Sequence, residues 1–453
     1  MTNSSTALFL GIFKGVAGSG VLAMPWCFMR AGWVVSLLLV IFVWAATVRT
    51  VVQVCRLAIQ ITPKKTTKPM IVEAAAETVD QVETSVADSS FVNKALCALK
   101  LRKANKGPKK PKEKLDPIGY GNLMEHSFKN ERAGFWICWC CVIPCQWIAS
   151  VAYIIFVAAN SAPIFSSTMS PRYMTLVMTV IELALCMPKA TGHLSFSSAF
   201  GNFAFFAGTG AMLVYSIAVK GLKVSNLRAF TDAKGAFEAF GILVFAFAAH
   251  TETLAVMAAA TGKGRAKFPY LVFLAFLLAL SIFVGFSFCV YAAFGDATNA
   301  VFFLNLPSNN IVLNILRLCV SLMLVCGYPL LAYPIFQAYE ATGSTKEVDA
   351  VHTSKWSIIF TKKYMWRTLW RWLIIISTGV VAALVTDGFG PVSCIGGGLT
   401  AATSFILPPM FHILMSQRAI PRWSYGLDIF IILMGIVGGI LSVATGVYSL
   451  FQN

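Results

Sequence analysis

The chain has 453 residues, of which 57% are hydrophobic and 12% are charged, and its formal net charge is +17 at pH 7. This composition predicts an all-α polytopic membrane protein and excludes an ordinary soluble domain. Because the basic residues cluster between the apolar runs, as membrane topology requires, we expect no nucleic-acid partner.

Apolar runs long enough to cross a membrane recur along the whole chain. A helix needs about 20 apolar residues to span the hydrocarbon. Eleven runs are predicted to be membrane-spanning helices, called spans one to eleven: 6–26, 32–58, 133–159, 172–188, 194–219, 236–260, 268–294, 309–338, 367–386, 391–414 and 425–450.

Residues 61–132, between spans two and three, differ in kind from the rest of the chain. They are rich in Lys, Ala, Thr, Val and Pro and include the run KLRKANKGPKKPKEK, from Lys100 to Lys114. We predict a basic, partly disordered cytosolic insertion that serves as a solvated tether. The alternative is that its basic stretch, 94–114, adheres to anionic lipid headgroups of the cytosolic leaflet.

The spans and the insertion divide the chain into five predicted parts. These are 1–60 with spans one and two, the insertion 61–132, 133–219 with spans three to five, 220–414 with spans six to ten, and 415–453 with span eleven. Loops on the side of the insertion carry more Lys and Arg than the opposite loops, so we expect the N-terminus in the cytosol and the C-terminus outside or in a lumen. We expect the chain in the plasma membrane or in a vacuolar or lysosomal membrane.

Cysteines are concentrated at the start of span three, in ICWCCVIPC. Within an apolar run such residues usually behave as small hydrophobes that pack between helices. No His, Asp or Glu is close by in sequence to complete a metal site. We therefore expect neither a metal nor a cofactor.

Spans one and six carry glycines or polar groups at mid-depth. Span one contains GVAGSG, from Gly15 to Gly20, and span six contains FAFAAHTET, from Phe245 to Thr253. Interruptions at matching places in two halves are typical of a five-plus-five inverted repeat, whose first helices unwind around a midplane site. Tight packing of small residues between helices is the alternative explanation of the glycines.

Unwound backbone suits an amino acid, because a zwitterion needs partners for a carboxylate and an ammonium together. Amide groups at the start of a half-helix receive the carboxylate, and freed carbonyls receive the ammonium. Glycine allows the dihedral angles and the close approach that this requires. The candidate substrate-binding residues are Ala17, Gly18, Ser19, Gly20, Val21, Phe245, Phe247, Ala248 and His250.

Four stretches carry a family resemblance. KGVAGSGVLAMPWCFMRAG resembles the opening signature of the amino acid/auxin permease family, in which a small-residue run leads to a proline, an aromatic residue and Ala-Gly. Phe245, Ala246, Phe247 and His250 match that family's sixth-span pattern. MAAATGKGRAKFPYLV is similar to the start of its seventh helix, and YPLLAYPIFQAYE resembles its proline-punctuated eighth span.

The resemblance implies an amino acid transporter of the leucine-transporter type that works by alternating access, with helices one and six broken and one extra C-terminal helix. The resemblance runs from span one to span eight, and the last three spans agree with the family only in their number. Members often carry Glu-Gly before the sixth-helix His, where this chain has Ala248 and Ala249. This departure leaves the substrate preference open.

Lys14 lies four residues before Gly18. In the sodium-coupled branch of the resembling family this position is typically an Asn at a sodium site, whereas the proton-assisted and vacuolar branches often carry Lys. The resemblance therefore implies sodium-independent transport, either proton-coupled or facilitative, with the ammonium in the place of the cation. In the alternative, Lys14 extends back to the cytosolic headgroups.

His250 and Glu252 are the other candidates for ion coupling. A histidine titrates in the range in which a proton could be coupled to substrate movement, although a lone intramembrane His is ordinarily a satisfied core residue. Glu252 could instead face the side chain of a cationic substrate.

Arg317 and Glu182 are deep charges for which we expect structural or gating roles, and their mutual pairing is one option. Trp147 and Tyr153 of span three are expected to be anchors rather than ligands.

The expected partners are thus an amino acid, protons and membrane lipids. An enzyme is not expected, because no nucleophile–base pair or phosphate loop is recognisable. An amino acid-sensing receptor with little flux and a sodium-coupled symporter are the alternatives, and a channel is disfavoured because no pore-lining ring repeats.

Overall fold

A computed structural model describes residues 5–61, 120–128, 131–165, 169–187, 194–260, 263–342, 362–416 and 420–452. This part of the chain is almost entirely helical and contains no strand. The helices are α1 Ser5–Val16, α2 Met24–Ala31, α3 Trp33–Ile61, α4 Tyr120–Phe128, α5 Glu131–Ile137, α6 Ile143–Phe165, α7 Pro171–Leu185, α8 Leu194–Val214, α9 Ala233–Ala246, α10 His250–Ala259, α11 Lys263–Ala266, α12 Phe268–Phe294, α13 Ile311–Thr342, α14 Lys362–Leu384, α15 Phe389–Ala401, α16 Leu407–Met415 and α17 Arg422–Gln452.

The helices confirm the predicted class, an all-α polytopic membrane protein. Among the described residues, eight helices are long and apolar enough to cross a membrane, and a bent pair formed by α1 and the segment Gly20–Ala31 makes a ninth. Each of the eleven predicted spans overlaps a helix. Two of these, α7 and α14, meet the criteria for length and composition less well, so the count of eleven stays a prediction.

Span one is broken, as its glycines predict. α1 ends at Val16, Ala17 and Gly18 are not helical, and a 3-10 turn over Ser19–Ala23 leads into α2. The two halves are bent by 50°. The second half regains α-helix where Pro25 stands in its first turn, a position in which proline costs no hydrogen bond.

Span six is broken at the predicted place. α9 ends at Ala246, the residues Phe247 to Ala249 are not helical, and α10 begins at His250. The first half starts at a conventional cap, since the Asp232 side chain accepts a hydrogen bond from the Gly235 amide.

The two breaks lie directly against each other. A Cβ at Gly20 would be 2.6 Å from Cα and 2.7 Å from N of Ala246, so only glycine permits this contact between backbones. The two broken spans therefore meet exactly where both lose helical structure, with the other helices packed around them.

Buried ion pairs join α3, α16 and α17 at one place and the two broken spans at another. Asp428 of α17 is fully buried and accepts hydrogen bonds from Arg49 Nη2, at 2.7 Å, and from Gln53 Nε2, at 2.9 Å. His412 Nδ1 of α16 lies 2.7 Å from the other carboxylate oxygen of Asp428. Elsewhere, Glu238 of α9 accepts a hydrogen bond from Arg30 at 2.6 Å.

Most of the predicted insertion, including the basic stretch 94–114, lies outside the described residues. Its last part forms α4, which packs against α3 and α16. Ser127 donates a hydrogen bond to the sulfur of Met415 there. The end of the insertion is thus attached to the helical bundle.

Candidate functional site

A cavity of about 70 Å³ lies where the two broken spans meet. This volume corresponds to roughly five to seven water-sized positions, comparable to the ammonium, Cα and carboxylate that all amino acids share. The cavity is lined by Gly15, Val16, Gly18, Gly20, Val142, Cys145, Gln146, Ala149, Tyr153, Phe245, Ala246, Ala248, His250, Thr251, Glu252, Leu331, Thr400, Thr403 and Ser404.

The span-one side of the cavity is backbone rather than side chain. Gly18 has extended dihedrals, φ −97° and ψ −167°, at the point where the helix has opened. A Cβ there would be 3.4 Å from the Tyr153 hydroxyl, which is ordinary van der Waals contact. Gly18 thus lets the cavity reach the main chain, and an added methyl group would occupy the cavity without breaking the fold.

His250 bridges the other wall of the cavity. It is buried, and its Nε2 lies 2.9 Å from Thr50 Oγ1 of α3, while its Nδ1 lies 3.1 Å from Ser404 Oγ. Ser404 belongs to the π-helical turn Ala402–Ile406 between α15 and α16. Both ring nitrogens therefore have hydroxyl partners, and the imidazole connects α3, α10 and span ten.

Glu252 brings a carboxylate to the cavity. Thr251 donates a hydrogen bond to its Oε2 at 2.9 Å, and Gln146 Nε2 lies 3.3 Å from the Thr251 hydroxyl. Glu252 makes no ion pair with another described residue. The carboxylate thus accepts a hydrogen bond from the Thr251 hydroxyl and is available to a proton or to a positively charged part of a ligand.

The structure brings five of the nine candidate substrate-binding residues to the cavity and leaves three elsewhere. Gly18, Gly20, Phe245, Ala248 and His250 line it. Ala17, Val21 and Phe247 are buried and do not, and the side chain of Ser19 is outside the described set.

Phe247 shows why a sequence pattern misplaces such residues. It is the first residue after α9 ends, so the helical spacing of α9 does not determine which way its side chain points relative to Phe245. Its ring packs against Phe276 and Phe283 of α12, with centroids 6.4 Å and 5.5 Å away. Phe247 therefore supports the break from behind, whereas Phe245 faces the cavity.

Lys14 does not line the cavity, and its side chain turns into the bundle. A Cβ at Gly201 of α8 would be 3.8 Å from the Lys14 ammonium and 3.2 Å from Cγ of Met323. The ammonium therefore lies near α8 and α13, behind the end of α1 and outside the space between the breaks.

Arg317 and Glu182 do not pair in the structure. Arg317 Nη2 donates to the carbonyls of Phe303, at 2.7 Å, and Leu306, at 2.6 Å, so it closes the turn before α13. Glu182 is 3% exposed on α7, and its Oε2 has no hydrogen-bond partner among the described residues. The structural or gating roles of the two residues stay predictions.

Spans three and ten supply cavity residues that sequence reasoning did not select. Thr400, Thr403 and Ser404 bring hydroxyl groups from span ten, and Cys145 of span three lies 2.9 Å from the Thr400 hydroxyl. Tyr153, expected to be an anchor, also lines the cavity. Hydroxyls spaced three and four residues apart within an apolar helix were the available signal, because that spacing marks one helix face.

Two π-helical turns border the cavity. One covers Cys138–Val142 before α6, and the other covers Ala402–Ile406. Such turns are often found at functional sites, because the widened turn frees backbone groups and redirects side chains. Together with the two breaks, they make four stretches of irregular backbone that contribute residues to the cavity.

Comparisons with known proteins identify the family to which the chain is similar. A family model described as "Transmembrane amino acid transporter protein" matches residues 1–68 and 95–450. From Arabidopsis thaliana, "Amino acid transporter ANT1" is 28% identical over 64% of this chain and 67% of its own length, and "Amino acid transporter AVT3B" is 23% identical over 100% and 95%. "Vacuolar amino acid transporter 4" of Saccharomyces cerevisiae is 24% identical over 58% and 40%.

A solved structure shares the fold. It is a manganese transporter from Eremococcus coleocola, with a TM-score of 0.59 and 10% identity, and the similarity covers 99% of this chain and 88% of that one. At this level of identity the similarity is informative about architecture alone.

Proposed function

The chain belongs to the transmembrane amino acid transporter family, known as the amino acid/auxin permease family, with relatives in its vacuolar branch, and we propose that it moves an amino acid by alternating access through the cavity between its two broken spans. The contact between the two breaks, with open backbone at Gly18 and a cavity the size of a zwitterion, carries this proposal.

The ends of the broken helices provide partners for both charges of the substrate. The carboxylate binds amide groups at the start of the turn Ser19–Ala23, where the helix dipole is positive. The ammonium binds carbonyls freed at the ends of α1 and α9, together with hydroxyl groups of span ten. The side chain then lies towards Phe245 and Tyr153.

Alternating access follows from a five-plus-five inverted repeat, spans one to five against spans six to ten, with span eleven outside it. The equivalent positions of the breaks in spans one and six support this division. The cytosolic N-terminus, the division of the chain into 1–60, 61–132, 133–219, 220–414 and 415–453, and residence in a vacuolar, lysosomal or plasma membrane belong to the same proposal.

Sodium is not required, because Lys14 places an ammonium near α1, α8 and α13. A fixed positive charge there disfavours a second cation by several kcal/mol at short range in a poorly polarisable interior. Uptake that stops when sodium is replaced by choline, at a constant proton gradient, would contradict this part of the proposal.

Protons are coupled through Glu252 in preference to His250. The Glu252 carboxylate lines the cavity and accepts a hydrogen bond from Thr251, whereas both nitrogens of His250 are used in bridging helices. Protonation of Glu252 and binding of the substrate ammonium are then linked, since both change the charge of one small space.

Proteoliposome uptake tests the proposed function directly. The purified chain is reconstituted, proton and sodium gradients are imposed separately, and a panel of neutral, cationic and acidic amino acids is supplied as radiolabel. We expect accumulation of at least one class with a proton gradient alone. Binding without accumulation or exchange, for every amino acid tested, would instead identify a sensor.

A further inference from the structure

A second cavity lies at the end of the bundle where α3 and α16 both finish. Its volume is about 210 Å³. It is lined by Gln53, Arg56, Leu57, Gln60, His412 and Ser416. Arg56, Leu57 and Gln60 lie three, four and seven positions after Gln53, so the four residues form one face of the last two turns of α3.

The lining has an excess of positive charge. None of the six residues is acidic. The adjacent Asp428 is already engaged by Arg49, Gln53 and His412, and among the described residues Arg56 makes no ion pair. The cavity therefore has one permanent cation that a ligand with a single negative charge would neutralise.

Gln53 also presents an acceptor with no partner. Its amide nitrogen donates to the Asp428 carboxylate, which fixes the orientation of the amide because a carboxylate accepts only. Its Oε1 is consequently directed away from Asp428, and it is buried without a hydrogen-bond partner among the described residues. An unmet buried acceptor favours a ligand with a hydrogen-bond donor, because leaving it unmet costs about 1–3 kcal/mol.

The cavity lies at the exposed end of α3, where predicted span two leaves the membrane. Arg56 and Gln60 are exposed, and Ile59 between them is 38% exposed, as expected for a surface at the edge of the hydrocarbon. α3 ends at Ile61. Basic pockets between membrane helices at this depth are suited to lipid headgroups.

We propose that this cavity binds the phosphate of a headgroup that also carries hydroxyl groups, of the glycerol or inositol type. The guanidinium of Arg56 binds the phosphate, and a headgroup hydroxyl donates to Gln53 Oε1. The volume corresponds to roughly 14–20 water-sized positions, enough for a phosphate and a small polyol. A bound headgroup would link α3 to α16, and thus the end of span two to the end of span ten.

The same chemistry is present in a lipid and in a soluble phosphate ester, so the test uses both. The melting temperature of the full-length protein in detergent is measured while short-chain phosphatidylinositol, short-chain phosphatidylcholine or soluble inositol phosphate is titrated. Ligand that binds the folded state raises the melting temperature. We expect phosphatidylinositol to exceed phosphatidylcholine, whose headgroup has a phosphate and no donor. A response to inositol phosphate alone would support the site and identify a soluble occupant.

Substitutions at two exposed residues, with one control, test whether the headgroup binds in this cavity. Arg56→Gln is expected to weaken the apparent affinity about tenfold or more, because it removes a charge-assisted bond to phosphate. Gln60→Ala, at the rim, should weaken it less. Arg172→Gln removes an equal charge from an exposed position on α7 and should leave the affinity unchanged.

Three results would overturn the site: an affinity unchanged in Arg56→Gln, an equal loss in Arg172→Gln, or equal stabilisation by both lipids. None of these measurements depends on transport. A failure of the lipid site would therefore leave the proposed transport untouched, and the reverse also holds.

Discussion

Two regions place polar groups inside the apolar bundle, and they do so in opposite ways. Around Asp428 every described partner is a side chain from another helix, and the carboxylate accepts bonds from Arg49 and Gln53 while His412 contacts its second oxygen. Around Gly18 the helices open, and the polar part of the lining consists of backbone, hydroxyl groups, the His250 imidazole and the carboxylate of Glu252, beside apolar side chains such as Phe245.

The first arrangement joins helices to one another, whereas the second leaves polar groups that can bind a ligand. A buried charge with complete partners joins helices, and its removal leaves the partner charge uncompensated. Open backbone has hydrogen-bonding capacity left over, which only a ligand or water can use inside a membrane. The substitutions that follow test this contrast, in order of decreasing effect on stability.

Asp428→Asn should cause the largest loss of stability. The substitution keeps the shape of the side chain and leaves the charge of Arg49 uncompensated, so we expect destabilisation of about 3–5 kcal/mol, seen as a lower melting temperature in detergent. The matched control is Arg228→Gln, which breaks an exposed pair with Asp296 and should change stability by about 0–1 kcal/mol. An equal loss of stability in Asp428→Asn and Arg228→Gln would mean that the Asp428 network does not stabilise the bundle.

Gly20→Ala should cause the next largest loss. The new Cβ would be 2.6 Å from Cα of Ala246, a backbone atom that cannot move aside without separating the two breaks. We expect destabilisation of about 1–3 kcal/mol together with loss of uptake. Gly285→Ala on α12, where the new Cβ meets nothing within 4 Å, should be neutral or slightly stabilising. A Gly20→Ala variant as stable and active as the wild type would contradict the contact between the breaks.

His250→Ala should destabilise the fold moderately. The substitution deprives Thr50 and Ser404 of their common partner, at a cost of about 1–3 kcal/mol. His126→Ala, at an exposed position on α4, is the control and should have no effect. Because we assign coupling to Glu252, His250→Ala protein that still folds should retain uptake that depends on the proton gradient. Gradient-independent uptake in this variant would return the coupling role to His250.

Glu252→Gln should have the smallest effect on stability, since the amide keeps the size of the side chain and can still accept a bond from Thr251. Its effect is expected on coupling: uptake should no longer respond to a proton gradient, while exchange of amino acid across the membrane continues. Uptake assayed at matched internal and external pH, and then under a gradient, distinguishes the two. An unchanged response to the gradient would remove Glu252 from the coupling mechanism.

Sequence reasoning predicted the features that depend on local signals. The breaks at GVAGSG and before His250 occur at residues that weaken or interrupt a helix, and both are found where expected. Whether a residue faces the cavity depends on helix rotation and on distant partners. For this reason Phe247 was grouped with Phe245, and Tyr153 was expected to be an anchor.

The side-chain network around Asp428 was not predicted, and the reason is related. Arg49 and Asp428 are 379 positions apart, and nothing near either of them indicates the other. Cavity residues such as Thr400 and Ser404 likewise come from a span whose resemblance to the family is by count only. Contacts of this kind are determined by how whole helices pack, which local pattern does not specify.

In the proposed mechanism the substrate binds against the open backbone at Gly18. The most direct test is the dissociation constant of a transported amino acid for wild-type and Gly18→Val protein, alongside their melting temperatures without ligand. Gly18 has a negative φ, so a side chain is compatible with its backbone and would extend into the cavity towards Tyr153. We predict an affinity about 10-fold to 200-fold weaker, with the melting temperature nearly unchanged. An unchanged affinity in a well-folded variant would contradict the account and place the substrate elsewhere.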